Sequence, residues 1–110
     1  MSEKLKEHKP TQEGYWIAFR DGFRPEPTAK AMKAPGLERF DLFTHKSVHG
    51  NRFDWVVSNG HTGLVVARAG KKSEVTAIAI DRLSQENAAR MACANIERAF
   101  DNGKESPRYQ

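Results

Sequence analysis

The chain has 110 residues, of which 38% are hydrophobic and 29% charged, and its formal net charge is +4 at pH 7. This length fits one domain around one core, and the composition is globular rather than disordered. No stretch approaches the roughly 18 apolar residues of a membrane span, so we expect no membrane partner. The charged N-terminus lacks the apolar segment of a signal peptide, and the single cysteine cannot form an internal disulfide. We therefore expect a cytoplasmic protein.

Composition also predicts the domain boundaries. Residues 1–13 show no hydrophobic periodicity and are expected to form a flexible N-terminal arm. Residues 14–103 are expected to form a single α+β domain. Residues 104–110 are polar and are expected to be a flexible tail.

The first half of the domain favours strands separated by one long loop. YWIAFR, residues 15–20, is aromatic and is bounded by glycines, which predicts a strand. Three prolines within residues 22–36 exclude a continuous regular element there, so we expect a long surface loop. In the following segment, LERFDLFTHKSV, Leu37, Phe40 and Phe43 are three residues apart, which favours a helix. Phe40, Leu42 and Thr44 are two residues apart, which favours a strand. The strand, over residues 40–48, is the preferred interpretation.

The second half predicts further strands and one helix. RFDWVVSN and GLVVARAG indicate strands, with Trp55 expected in the core, and the apolar run VTAIAI at residues 75–80 suggests a buried central strand. SQENAARMACANIERAF has alanines and larger apolar residues at helical spacing. Ser84 is its expected N-cap, and Asn102-Gly103 its expected end. The predicted fold is α+β: an antiparallel β-sheet of three to five strands with one C-terminal amphipathic helix packed on one face.

The segment HKSVHGNRFDW raises the question of a metal site. His45 and His49 are four residues apart, and on a helix such a pair can share a zinc ion. On a strand the two side chains would be about 13 Å apart, too far for one ion. The pair also ends at Gly50-Asn51, a turn sequence. We therefore expect solvent-facing histidines and no metal ligands.

Catalytic motifs are absent from the sequence. Cys93 lies between two alanines inside the predicted helix, where a free cysteine is usually a small buried hydrophobic residue. There is no GxSxG, P-loop or GxGxxG sequence. We therefore expect a protein that is not an enzyme, with no catalytic residues and no cofactor. A metal-dependent enzyme is the third-ranked alternative.

The last helix carries a resemblance to a known group of proteins. Glu86, Asn87 and the alanines that follow, after the GLVVARAG strand, resemble the C-terminal segment of small accessory proteins of tailed phages and prophages. The resemblance covers about 40 residues and implies a phage or mobile-element protein. Such proteins bind stoichiometrically to a host protein or ribonucleoprotein complex, for example a defence complex. No catalytic residue is implied.

The residues expected to contact that partner are basic and aromatic groups outside the core, because such side chains contribute strongly to protein interfaces. They are Arg20, Phe23, Arg24, Lys30, Lys33 and Arg52. A solvated connection is the alternative interpretation of the long loop.

The alternative function is DNA binding. A three-stranded sheet followed by a helix resembles the DNA-binding modules of AP2 proteins and of some integrases, in which the sheet enters the major groove. The residues that would contact DNA are Arg52, Arg68, Lys71 and Lys72. An open sheet edge would also permit a homodimer.

Overall fold

A computed structural model describes residues 8–47 and 54–110. Six strands precede two helices along the chain. The strands are β1 (Trp16–Phe19), β2 (Gly22–Pro25), β3 (Lys30–Ala31), β4 (Leu42–Lys46), β5 (Trp55–Asn59) and β6 (Val65–Ala69). The helices are α1 (Lys72–Ser84) and α2 (Glu86–Asp101), and short 3₁₀ helices cover Glu38–Phe40 and Pro107–Tyr109.

The strands form two antiparallel sheets. β1 and β2 form a hairpin, while β3, β4, β5 and β6 form a four-stranded sheet in chain order. The segment before residue 48, for which the sequence favoured either a helix or a strand, contains a short piece of each. A 3₁₀ helix ends at Phe40, and strand β4 begins two residues later. The predicted α+β class, with an antiparallel sheet followed by a helix, is confirmed.

One face of the four-stranded sheet packs against the two helices. Leu42, Val57 and Ala67 project from three strands into a buried cluster that also contains Ala79 of α1 and Cys93 of α2. Ala79 has no side chain beyond Cβ, so α1 can approach the sheet closely. Cys93 is buried, as the sequence predicts.

The middle of the opposite face of the sheet is also buried. Phe43 and His45 of β4 lie beside Ser58 and Val56 of β5, and all four are 0–1% exposed. Tyr15, which precedes β1, stacks on Phe43 with ring centroids 4.4 Å apart. The expectation of a solvent-facing His45 is therefore wrong: chain from outside the sheet covers this face. His49 and Phe53 lie outside the described residues.

The apolar run at residues 75–80 is helical, so its assignment as a strand is wrong. Val75 and Ala79 are buried at a spacing of four, whereas Ile78 and Ile80 are more than one-third exposed. An unbroken apolar run contains neither periodicity, so sequence alone could not separate helix from strand. Two helices therefore follow the sheet where one was expected.

The boundary between the helices lies one residue after the expected N-cap. Ser84 ends α1, and Gln85 has an extended backbone with φ −82° and ψ 130°. Gln85 caps the start of α2 without a side-chain hydrogen bond. The long helix predicted from Ser84 is confirmed in type, and it ends before Asn102 as expected.

The two terminal segments pack against each other. Ser106 and Arg108 are buried, and the amide N–H of Thr11 donates a 2.7 Å hydrogen bond to the carbonyl of Arg108. Residues 104–110, which were expected to form a flexible tail, therefore include buried side chains, and an internal ion pair described below holds Arg108. Of the predicted arm, residues 8–13 belong to the described structure, and residues 1–7 lie outside it.

Candidate functional site

A groove of about 680 Å³ lies between the β1–β2 hairpin, the β5–β6 turn and the C-terminal half of α2. We call it the basic groove. It is lined by Ala18, Phe19, Arg20, Gly22, Phe23, Thr62, Leu64, Asn95, Arg98, Ala99, Asn102, Gly103 and Lys104.

The β5–β6 turn is held against the hairpin by Gly63. This glycine has φ +70°, and a Cβ built there would lie 2.8 Å from the backbone N of Ala18 and the carbonyl O of Trp16. The carbonyl of Gly63 accepts a 3.1 Å hydrogen bond from the N–H of Ala18. Only glycine permits both the left-handed backbone and this close approach. The relative position of these two groove walls is therefore fixed by backbone contact.

The groove has an apolar wall. Phe19 and Phe23 come from the hairpin, and Leu64, which is 57% exposed, comes from the β5–β6 turn. Fully burying a leucine side chain is worth about 2 kcal/mol. A ligand that covers this wall would therefore gain affinity from apolar contact.

All charged residues that line the groove are basic. They are Arg20 of the β1–β2 turn, Arg98 of α2 and Lys104 beyond its end. None of the three forms an ion pair with another described residue. Arg98 donates a 3.1 Å hydrogen bond to Asn95 Oδ1. The groove therefore combines apolar surface with side chains of positive charge.

The predicted partner-binding residues are only partly brought together. Arg20 and Phe23 line the basic groove. Arg24 lies on the hairpin, with its guanidinium 4.4 Å from the Phe19 ring centroid. Lys30 and Lys33 are exposed on and just after the edge strand β3, away from the groove lining. Arg52 lies outside the described residues.

Sequence reasoning missed the contributions of α2 and the β5–β6 turn to the groove. Arg98 resembles any solvent-facing helix residue, and Leu64 resembles a core residue of the following strand. The available signal was Leu64 itself, an apolar residue directly after the HTG turn. Its exposure follows from the tight return of the chain at Gly63, which only the structure shows.

Three of the alternative DNA-contacting residues are exposed, and the fourth, Arg52, lies outside the described residues. Arg68 lies on β6, and Lys71 and Lys72 lie at the start of α1. However, the helices cover one face of the four-stranded sheet, and the other is buried around Phe43 and Val56. Among residues 8–47 and 54–110, the middle of this sheet is therefore covered on both faces, and Arg68 is exposed at the β6 edge of the second face.

A second polar site is buried beneath the terminal segments. Asp41, with left-handed backbone at φ 49°, accepts hydrogen bonds from Arg108 Nε at 2.8 Å and from the Tyr109 hydroxyl at 2.7 Å. Arg108 Nη1 also donates to the carbonyls of Gln12 and Glu13, each at 2.8 Å. The guanidinium thus joins the N-terminal segment, the C-terminal turn and the start of β4. Its role is structural, because its donors are occupied by the chain itself.

His61 lies in the same site and is uncharged. Its Nδ1 is 3.2 Å from the amide nitrogen of Asn59, and the Asn59 Oδ1 accepts from the backbone N–H of Thr62 at 2.9 Å. The amide orientation is thereby fixed, so Nδ1 accepts a hydrogen bond and carries no proton. Burial is the main cause that lowers the pKa of His61 to about 4, while Asp41 opposes the change. Burial and the Asp41 carboxylate both raise the pKa of Tyr109.

His45 and Ser58 form a buried pair on the second face of the sheet. His45 Nδ1 lies 2.8 Å from the Lys46 carbonyl, and Nε2 lies 2.9 Å from Ser58 Oγ. Because a carbonyl only accepts, Nδ1 carries the proton and Nε2 accepts from the serine hydroxyl. Desolvation lowers the pKa of His45. Both side chains are almost completely inaccessible, so in this arrangement the hydroxyl cannot reach a substrate.

The described residues contain no group of three or more His, Cys, Asp or Glu side chains placed to hold a metal ion. Within the same ranges, neither helix combines the length and apolar character needed to cross a bilayer. Comparison of the chain with protein-family models, curated protein sequences and solved structures found no match. The properties of the site are therefore the basis for assigning a function.

Proposed function

We propose that the chain is a non-catalytic binding protein whose basic groove takes an acidic segment of a partner protein. The observation that carries the proposal is the pairing of an apolar wall with charged residues of one sign. An acidic segment with an apolar side chain complements both features. Arg20, Arg98 and Lys104 would contact its carboxylates, and Leu64 its apolar side chain.

Electrostatic complementarity mainly increases the association rate and the specificity, whereas apolar contact at the centre of an interface supplies much of the affinity. The groove offers both within one rigid frame, since the Gly63 contact fixes two of its walls. Binding would therefore require little rearrangement of the backbone.

The resemblance of α2 to phage accessory proteins suggests a source for the partner. We propose a host protein or ribonucleoprotein complex, bound stoichiometrically. A mobile element gains from such a protein when the bound surface is one that the host machinery needs. The lining of the groove supports the proposal that the bound segment is acidic and partly apolar. The resemblance of α2 supports the proposal that the partner belongs to a host cell.

Isothermal titration calorimetry with two synthetic peptides tests the proposed groove. One peptide alternates glutamate with leucine, and the other replaces each glutamate by lysine. The acidic peptide should bind and the basic peptide should not. Arg98→Glu should weaken binding at least tenfold, whereas Lys33→Glu makes the same charge change outside the groove and should have less than a threefold effect. Equal weakening by both variants would show that net charge alone drives binding, and the groove proposal would then be wrong.

A further inference from the structure

One end of the four-stranded sheet carries basic side chains around a single tryptophan. Lys46, the last residue of β4, lies directly opposite Trp55, the first residue of β5. The ammonium groups of Lys46 and Lys72 lie 5.7 Å and 5.6 Å from the centroid of the Trp55 ring. Lys71 is exposed directly before Lys72. Arg68 pairs with Val56 and therefore projects from the other face of the sheet. We call Lys46, Trp55, Lys71 and Lys72 the Trp55 patch.

The positive charges of the Trp55 patch are not neutralised by ion pairs within the described chain. The ion pairs there join Arg24 to Asp21, Arg90 to Glu86, and Arg108 to Asp41. Asp54 and Glu74 are close to the patch in sequence, yet its three basic residues outnumber these two carboxylates. Like charges held together favour an anionic ligand, and this preference weakens as salt increases.

Trp55 adds an aromatic surface to this charge. Its side chain is only partly buried, and it packs against the edge of the core while two ammonium groups lie near the ring. Stacking of a nucleic-acid base on an aromatic side chain is worth about 1–3 kcal/mol, and basic groups bind the adjoining phosphates. Because bases of a duplex are already stacked, such a surface suits a single strand.

We infer that the Trp55 patch binds single-stranded nucleic acid. Lys46 and Lys72 contact backbone phosphates, and one unstacked base lies against the exposed part of the Trp55 ring. Lys71 extends the positive surface beside Lys72. The inference does not depend on the basic groove, which shares no residue with this patch.

Tryptophan fluorescence provides a direct test, because the chain has two tryptophans and Trp16→Phe leaves Trp55 as the only one. An oligothymidylate of about 12 nucleotides, a length within the usual site sizes for single strands, is titrated at low salt. We expect quenching of Trp55 and an affinity that falls as salt rises. Oligouridylate in a parallel titration shows whether the sugar matters, and binding of either strand supports the inference.

Charge-matched variants locate the site. Lys46→Gln with Lys72→Gln should weaken oligonucleotide binding at least tenfold, as measured by anisotropy of a labelled strand. Lys30→Gln with Lys33→Gln removes the same charge elsewhere and should change the affinity less than threefold. Circular dichroism checks that both double variants are folded. If a variant pair does not fold, quenching of Trp55 by the oligonucleotide decides the question.

Three results would overturn the inference. The first is equal loss of affinity in the two double variants, which would indicate diffuse attraction by net charge. The second is strand binding by anisotropy with no change in Trp55 fluorescence, which would place the strand elsewhere. The third is equal affinity for a duplex of the same length, which would exclude stacking on Trp55 as the basis of recognition.

Discussion

The uncharged state of His61 predicts that the folded chain loses stability as the solution becomes mildly acidic. In the unfolded chain histidine has a pKa near 6.5, whereas burial lowers the pKa of folded His61 to about 4. The unfolded chain therefore binds a proton that the folded chain rejects. The stabilising contribution is complete above pH 6.5 and is progressively lost as the pH falls toward 4.

The magnitude follows from the pKa difference of about 2.5, since each pKa unit corresponds to about 1.4 kcal/mol. His61 should therefore account for a loss of about 3 kcal/mol between pH 7 and pH 4. The residue is almost completely buried, so solvent screening does not reduce this value greatly. The groups that face it are Asp41, which favours protonation, and His8 and Arg108, which oppose it.

Urea unfolding followed by tryptophan fluorescence at a series of pH values measures this dependence. His61→Gln provides the comparison, because glutamine does not titrate. Near pH 5.2 the free energy of unfolding of the natural chain should change more steeply than that of the variant, by about 1.2 kcal/mol per pH unit. The carboxylates titrate in both proteins, so the difference isolates His61. Identical pH slopes would refute the reasoning.

Three further substitutions test the architecture. Gly63→Ala should destabilise the fold by about 1–3 kcal/mol, measured by urea unfolding, because it adds strain and a Cβ clash with the hairpin; an unchanged midpoint would contradict the proposed close approach. Asp41→Asn should cost about 3 kcal/mol, since it leaves the mostly buried guanidinium of Arg108 without its counter-charge. An unchanged free energy of unfolding would show that the contact between Asp41 and the C-terminal segment does not stabilise the fold. Ala77→Gly, at an exposed position of α1, should cost about 1 kcal/mol in the same assay if the run is helical, and no cost would argue against a helix there.

The sequence predicted the fold class because the strand signals and the last helix are local. Tyr15 to Arg20 and residues 40–48 contain β1 and β4, and the alanine spacing predicts α2. The run at residues 75–80 was misassigned because a continuous apolar segment has no period of its own. The buried face of α1 consists of Val75, Ala79 and Leu83, at a helical spacing of four. Leu83 lies beyond the run at residues 75–80, so the run by itself did not show this spacing.

Contacts between distant parts of the chain could not be predicted. Asp41 and Arg108 are 67 residues apart, and nothing near either residue indicates their pairing. His45 was expected to face solvent because, on a strand, it lies too far from His49 to share a metal ion. In the structure, Tyr15 stacks on Phe43, and His45 beside it is buried. Sequence alone does not show that residue 15 covers this part of the sheet. Arg20 of the β1–β2 turn and Phe23 of β2 were predicted from residue type alone, and both line the basic groove.

Photo-crosslinking at Leu64 tests the central claim, that the basic groove is a docking site, most directly. A photoreactive amino acid replaces Leu64 in one variant and Met91 in another; both side chains are more than half exposed, but only Leu64 lines the groove. After irradiation with the acidic peptide, we predict a crosslinked product from position 64 and none above background from position 91. Equal yields from the two positions, or a product from position 91 alone, would contradict the account.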